Sequence, residues 1–148
     1  MVQKLFYVDS CIWLNLFKKE GDSAKGVPYW KMVEDFISKV MFSEDKGIVY
    51  SGCVLREIQF KLNNEELFRD RLEFMEGEEK FKCIEVAKED CVFARKLESE
   101  SNFGISFYDC IHVAVCKRLN LVLVTRDNGL IEFARNYIVV DKPENLLP

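Results

Sequence analysis

Ser106–Asp127, SFYDCIHVAVCKRLNLVLVTRD, is the stretch on which the fold turns. Its first half opens at Ser106 and runs as a strongly apolar helix through Leu119. Leu121–Thr125 (LVLVT) follows as an unbroken apolar run rather than an alternating one. A strand apolar on both sides is covered on both faces, as in a parallel sheet sandwiched between helices. Thr125-Arg126-Asp127 then leaves the strand into Asp127-Asn128-Gly129, a strong turn sequence.

The same alternation extends outward in both directions. Lys4–Val8 (KLFYV) reads as a buried strand, stopped by Asp9-Ser10, and Ile12, Trp13, Leu16 and Phe17 then space as a helix. Glu20–Pro28 (EGDSAKGVP) is the clearest loop. A second helix from Pro28 carries Trp30, Val33, Phe36, Ile37, Val40 and Met41 on its apolar face. Ile48–Ser51 reads as the second strand, followed by a helix from Cys53, a break at Asn63-Asn64 and another helix to Gly77. Phe81–Val86 is the third strand, and its helix runs to about Asn102, with Gly104 as the stop. A short helix at about Leu130–Arg135 leads to a last strand, Tyr137–Val140, and Asp141–Pro148 reads as a loosely packed end. The expectation is one α/β domain over residues 1–148, with a mostly parallel sheet and helices on both faces.

Composition narrows the function. The chain has 148 residues, 49% hydrophobic and 31% charged, ordinary for a globular domain. No apolar run approaches the roughly 20 residues that span a bilayer, so no membrane partner is expected. The start, Met1-Val2-Gln3-Lys4, does not resemble a signal peptide, which points to the cytoplasm. The six cysteines sit within periodic apolar segments and form no C-x-x-C pair, so reduced thiols acting as small hydrophobes are expected. Cys110, His112 and Cys116 are the nearest approach to a zinc site, but the single histidine argues against soft-ligand metal binding. A net charge of −4 argues against a protein that grips nucleic acid by a broad basic surface.

In an open parallel sheet, ligands bind beyond the carboxyl ends of the strands. Asp9 follows the first strand directly, Asp127 comes just beyond the fourth in Thr125-Arg126-Asp127, Glu57 lies on the helix after the second strand, and Asp109 lies in the first turn of the helix feeding the fourth. Each has a local explanation. Asp9 can cap a helix, Ser106–Asp109 fits a capping box, Asp127 suits a turn, and Glu57 suits a solvated helix face. Their convergence on one sheet edge needs more, because gathered carboxylates repel unless a cation neutralises them. Mg²⁺ or Mn²⁺ takes such oxygen ligands and keeps waters that substrate phosphates replace. Two ions about 3.5–4 Å apart would serve phosphodiester hydrolysis. Ser10 and Thr125 place hydroxyls beside the acids, suited to supporting them or ordering water.

These segments resemble the PIN-domain family. The resemblance rests on Tyr7-Val8-Asp9-Ser10, on Ser51-Gly-Cys-Val-Leu-Arg-Glu57-Ile58, on Ser106–Ala114 around Asp109, and on Leu123-Val-Thr125-Arg-Asp127, in order from Val8 to about Leu130. It implies a three-layer α/β/α sandwich with a five-stranded, mostly parallel sheet related to flap endonucleases. It also implies Mg²⁺- or Mn²⁺-dependent cleavage of single-stranded or structured RNA, with Asp9, Glu57, Asp109 and Asp127 as catalytic metal ligands. Many small members are VapC-type toxins held by a cognate antitoxin, and homodimers are usual. Cys110 and Cys116 depart from the alanine-like residues familiar in the aspartate helix, and the Glu20–Pro28 loop with the helix after it is extended.

Four carboxylates account formally for the whole net charge. Arg126 and Arg56, beside proposed ligands in sequence, are the candidate substrate-binding cations, ahead of Lys18, Lys19, Lys25 and Lys31. Other classes fit less well. A dinucleotide module would need G-x-G-x-x-G after the first strand. An aspartyl-phosphate domain could use Asp9 but would want a lysine where Arg126 stands. A PIN-like scaffold that binds a protein or RNA partner without cutting remains the alternative.

Overall fold

The computed structural model describes residues 3–148; the expectation attached to Met1 and Val2, that no leader begins there, lies outside the described residues. Five strands form one all-parallel sheet: β1 (Lys4–Val8), β2 (Lys46–Ser51), β3 (Phe81–Ile84), β4 (Val122–Val124) and β5 (Val140–Asp141). Their spatial order is β3-β2-β1-β4-β5, with β1 central and the order reversing beside it. That reversal makes the carboxyl ends of β1 and β4 the natural crevice of the sheet.

The pleat of β1 assigns the covering helices. Successive strand residues point to opposite faces, and Phe6 meets Phe36 of α2 (Tyr29–Met41) edge-on, whereas Tyr7 meets His112 of α6 (Phe107–Leu119). Ile48 and Phe81 share the Phe6 face by register. On that face Phe81 is packed by Trp13 of α1 (Ser10–Phe17) and Phe74 of α4 (Glu65–Gly77). On the other face α5 (Lys88–Glu100) packs along α6. The result is an α/β/α sandwich, as expected. The continuous apolar strands are explained by it, since Phe6, Tyr7, Val8, Leu123 and Val124 are wholly buried.

Side-chain caps set several helix starts. Asp9, Asn64, Ser106 and Asp127 accept from backbone N–H groups at the heads of α1, α4, α6 and α7 (Asn128–Ala134). Asn63 and Asn120 take left-handed conformations after α3 (Gly52–Leu62) and α6. Asp90, almost fully buried on α5, is held by a two-pronged contact from Arg118 at 2.8 and 2.9 Å, which fastens α5 to α6.

The structure corrects four expectations. β3 ends at Ile84, not Val86. The stop after α5 is made by Asn102 and Phe103, at φ 53° and 60°, and not by Gly104. The last strand is Val140–Asp141, not Tyr137–Val140, because Tyr137 and Ile138 both donate to the Ala134 carbonyl and prolong the turn of α7. The tail is not loose: α8 (Pro143–Leu146) packs against α2, and Lys39 Nζ donates to the Leu147 carbonyl.

Candidate metal centre

Asp9 follows β1 directly and is only 5% exposed, a burial that a carboxylate tolerates only with partners. Its Oδ1 accepts from the Ser10 amide at 2.7 Å, and its Oδ2 accepts from the Thr125 hydroxyl at 3.0 Å. Thr125 leaves β4 directly alongside and also receives the Asp127 amide at 3.3 Å. Cys11 closes this corner, with Sγ 3.7 Å from Asp9 Oδ2, and burial followed by Asp9's charge pushes its thiol up to about 12.

Glu57 reaches the same point from α3. Its Oε2 accepts from Ser10 Oγ at 2.8 Å, and its Oε1 lies 3.3 Å from His112 Nε2. Burial alone would raise the Glu57 carboxyl. The hydrogen bonds from His112 and Ser10 and the positive charges of His112 and Lys61 outweigh it and hold the group below its ordinary value.

His112 has no exposed surface. Its Nε2 also stands 3.6 Å from Asp9 Oδ1, while Nδ1 bonds the Tyr7 hydroxyl at 2.7 Å, which in turn bonds Ser51 Oγ at 2.7 Å. Burial disfavours an imidazolium, yet Glu57, Asp9 and Asp109 raise its proton affinity above the ordinary value. Asp9, Glu57 and His112 each offer a ligand atom, all within 4.8 Å of one another. Composition alone set His112 aside as a lone histidine without zinc partners. The available signal was its spacing, since i and i+3 positions share a helix face and Asp109 is three residues away.

Asp109 lines the same cleft of about 580 Å³ with Asp9, Ser10, Glu57 and Asp127. Its carboxyl is pushed up to about 6 by burial, then by the charge of Asp9, with Glu57 adding to it. Such a rise is the mark of a carboxyl that is desolvated first and set beside other negative charge second. Asp127 borders the cleft at an exposed position and spends Oδ1 capping α7, accepting the Leu130 amide at 3.2 Å. The structure therefore brings Asp9, Glu57 and Asp109 together with Ser10 and Thr125, and leaves Asp127 at the margin.

The two arginines differ. The Arg126 guanidinium is committed to Asn15 at 2.7 Å and Glu144 at 2.7 Å and lies over the Tyr29 ring. Arg56 is exposed on α3. Among the four lysines, Lys31 pairs with Glu34 at 3.0 Å and, like Lys19, lies over the Trp30 ring.

The donor set suits a hard divalent cation: several carboxylate oxygens, with the Asp109 carboxyl pushed up to about 6 among them, converge at the strand ends with a buried imidazole. A parallel α/β sandwich with an acidic crevice at its switch point defines the class. The chain belongs to the PIN-domain family, whose model matches residues 6–136, and the family's proteins are nucleases that use divalent metals. Solved structures share the fold at low identity. VapC20 of Mycobacterium tuberculosis, described as a Sarcin-Ricin loop cleaving toxin, is 16% identical with a TM-score of 0.67, covering 90% of this chain and 96% of that one. VapBC2 of Rickettsia felis, bound to a DNA fragment from its promoter, is 18% identical with a TM-score of 0.65, covering 93% and 98%. PAE2754 of Pyrobaculum aerophilum is 16% identical with a TM-score of 0.60, covering 99% and 96%. No curated protein matches the chain. No helix among the described residues is long and apolar enough to cross a membrane.

Proposed function

We propose that residues 1–148 form a single PIN domain that hydrolyses phosphodiester bonds in RNA with Mg²⁺ or Mn²⁺. The observation that carries this reading is the meeting of Asp9, Glu57 and Asp109 in one cleft, with Asp109 pushed up to about 6. Asp9, Glu57 and Asp109 would hold the metal, and Asp127 would act from the margin through water. Bound there, divalent ions supply an activated water and offset charge on the leaving oxygen. Ser10 and Thr125 fix the carboxylates, and His112 anchors Glu57 to Tyr7 so that its Oε1 cannot swing away. Of the two arginines, Arg56 is the one left free for substrate phosphate.

The likeness to VapBC complexes supports a toxin with a cognate antitoxin; a homodimer in the cytoplasm completes the reading. A PIN-like scaffold lacking activity is the rival. The test incubates the protein with a labelled structured RNA and Mn²⁺, with and without EDTA, beside Asp9→Asn and Asp109→Asn. Cleavage that needs the metal and both acids is expected. Cleavage that persists in EDTA or survives both substitutions refutes the two-metal reading; absence of both cleavage and calorimetric metal binding supports the scaffold.

A further inference from the structure

The acidic cleft continues sideways into a second groove of about 290 Å³, lined by Cys53, Arg56, Glu57, Phe60, Lys61 and Tyr108. Glu57, Lys61 and Tyr108 belong to both. Phe60 is 84% exposed on α3, and Tyr108 is 54% exposed in the first turn of α6, one residue from Asp109. Two aromatic rings standing in water are costly to leave uncovered. The core does not use them: both are absent from the buried cluster that α3 and α6 supply through Val54, Ile58, Cys110 and Ile111. Basic groups flank them. Arg56 is exposed, and Lys61's charge is felt at Glu57.

Exposed aromatics interleaved with cations form a surface for an unpaired strand, with bases stacked on rings and phosphates on the cations. A duplex offers its bases only edge-on and cannot use it. We infer that Phe60 and Tyr108 form a base-stacking platform that leads a single-stranded RNA segment into the acidic cleft, with Arg56 and Lys61 on its phosphates. This rests on the nuclease reading for the identity of the cleft, and it selects unpaired over paired RNA. It also answers the charge problem: a chain of net charge −4 holds its substrate by stacking as much as by ion pairing.

Binding is measured by fluorescence anisotropy with a labelled unstructured RNA dodecamer, free and annealed to its complement. The protein is the full chain carrying Asp9→Asn, in EDTA, so that nothing is cut. The single strand is expected to bind more tightly than the duplex. Phe60→Ala and Tyr108→Ala should each weaken it by about five- to a hundred-fold, the range for losing one stacked base. Phe60→Trp should restore binding. Phe42→Ala removes an aromatic that is 90% exposed at the far end of α2 and should change nothing. Ring-removing variants that bind within two-fold of the parent overturn the platform, as does equal affinity for duplex. A dimer in light scattering that Phe60→Ala dissociates also overturns it, by assigning the ring to a second copy. Metal-dependent cleavage by the unmodified chain is scored separately. Cleavage without a stacking effect sinks the platform alone, whereas a stacking effect without cleavage sinks the nuclease reading.

Discussion

Replacing Asp109 with asparagine should make the metal-free protein more stable while removing its ability to bind metal. In the folded chain the Asp109 carboxyl is pushed from 3.8 to about 6, by burial first and by Asp9 second. As a carboxylate near neutral pH it therefore opposes folding by about 3 kcal/mol, from the energy per pKa unit. Asparagine removes that penalty but forfeits the favourable effect of an acid in the first turn of α6, about 0.3–1 kcal/mol. The net gain is about 2 kcal/mol, or about 4–8 °C in melting temperature for a domain of this size. The sign with pH follows from proton counting. Between about pH 4 and pH 6 the native state binds more protons than the unfolded chain, so the parent loses stability as pH rises through that window. Asp109→Asn should lack this slope, and its advantage should vanish below about pH 4. Added Mn²⁺ should reverse the order, stabilising the parent by about 2.7 kcal/mol at a hundred-fold excess over Kd and leaving the variant unmoved. The assay is thermal unfolding followed by circular dichroism, in EDTA and in Mn²⁺. A variant that melts at or below the parent in EDTA near neutral pH would refute the claim that the cleft stores uncompensated negative charge.

Other substitutions probe the supports of the cleft. His112→Leu strips Glu57 of its imidazole and leaves the Tyr7 hydroxyl with Ser51 alone, so urea unfolding should show a loss of about 2–4 kcal/mol. A loss below about 1 kcal/mol would show that this network holds nothing together. Thr125→Val should cost about 1–3 kcal/mol and weaken Mn²⁺ binding in calorimetry by about ten- to a hundred-fold, since the hydroxyl both donates to Asp9 and receives the Asp127 amide. Arg118→Met leaves the buried carboxylate of Asp90 with the Ala87 amide and no cation, and should cost about 3–5 kcal/mol, much of it recovered when Asp90→Leu is added. With no disulfide among the six cysteines, a maleimide near pH 8 should label exposed Cys83 first and reach Cys110, pushed up to about 11, and Cys116 only after unfolding.

The parts of this molecule legible from sequence are those governed by short-range pattern. β1 falls at Lys4–Val8 as its composition says, and β4 keeps the core of LVLVT, because buried parallel strands leave no room for polar residues. Asp9 and Asp109 were visible because strand ends and helix starts are punctuated. What escaped is set by hydrogen bonds and packing that composition does not display. Tyr137–Val140 has the composition of a strand, but the hydrogen bonds of Tyr137 and Ile138 to Ala134 hold its first half in a turn. The tail gives no periodic signal, and α8 exists through its seat against α2. His112 and Arg126 illustrate two opposite errors of adjacency. The histidine, unremarkable in its sequence context, lies at the heart of the acid cluster. The arginine, next to Asp127 in sequence, sends its charge elsewhere.

That diversion of Arg126 gives the last helix a say in the polarity of a cleft it does not enter. Glu144 competes with the acids for one guanidinium and wins it by a 2.7 Å contact, seconded by Asn15 and Tyr29. Were Glu144→Lys introduced, the arginine would be evicted from its berth, and its guanidinium would be free to turn toward the acids of the cleft that it lines. A cation parked there would mimic a bound ion, quieting the site from within. The last described helix thus works as a remote tether, keeping the guanidinium of a cleft-lining arginine turned away from the acids.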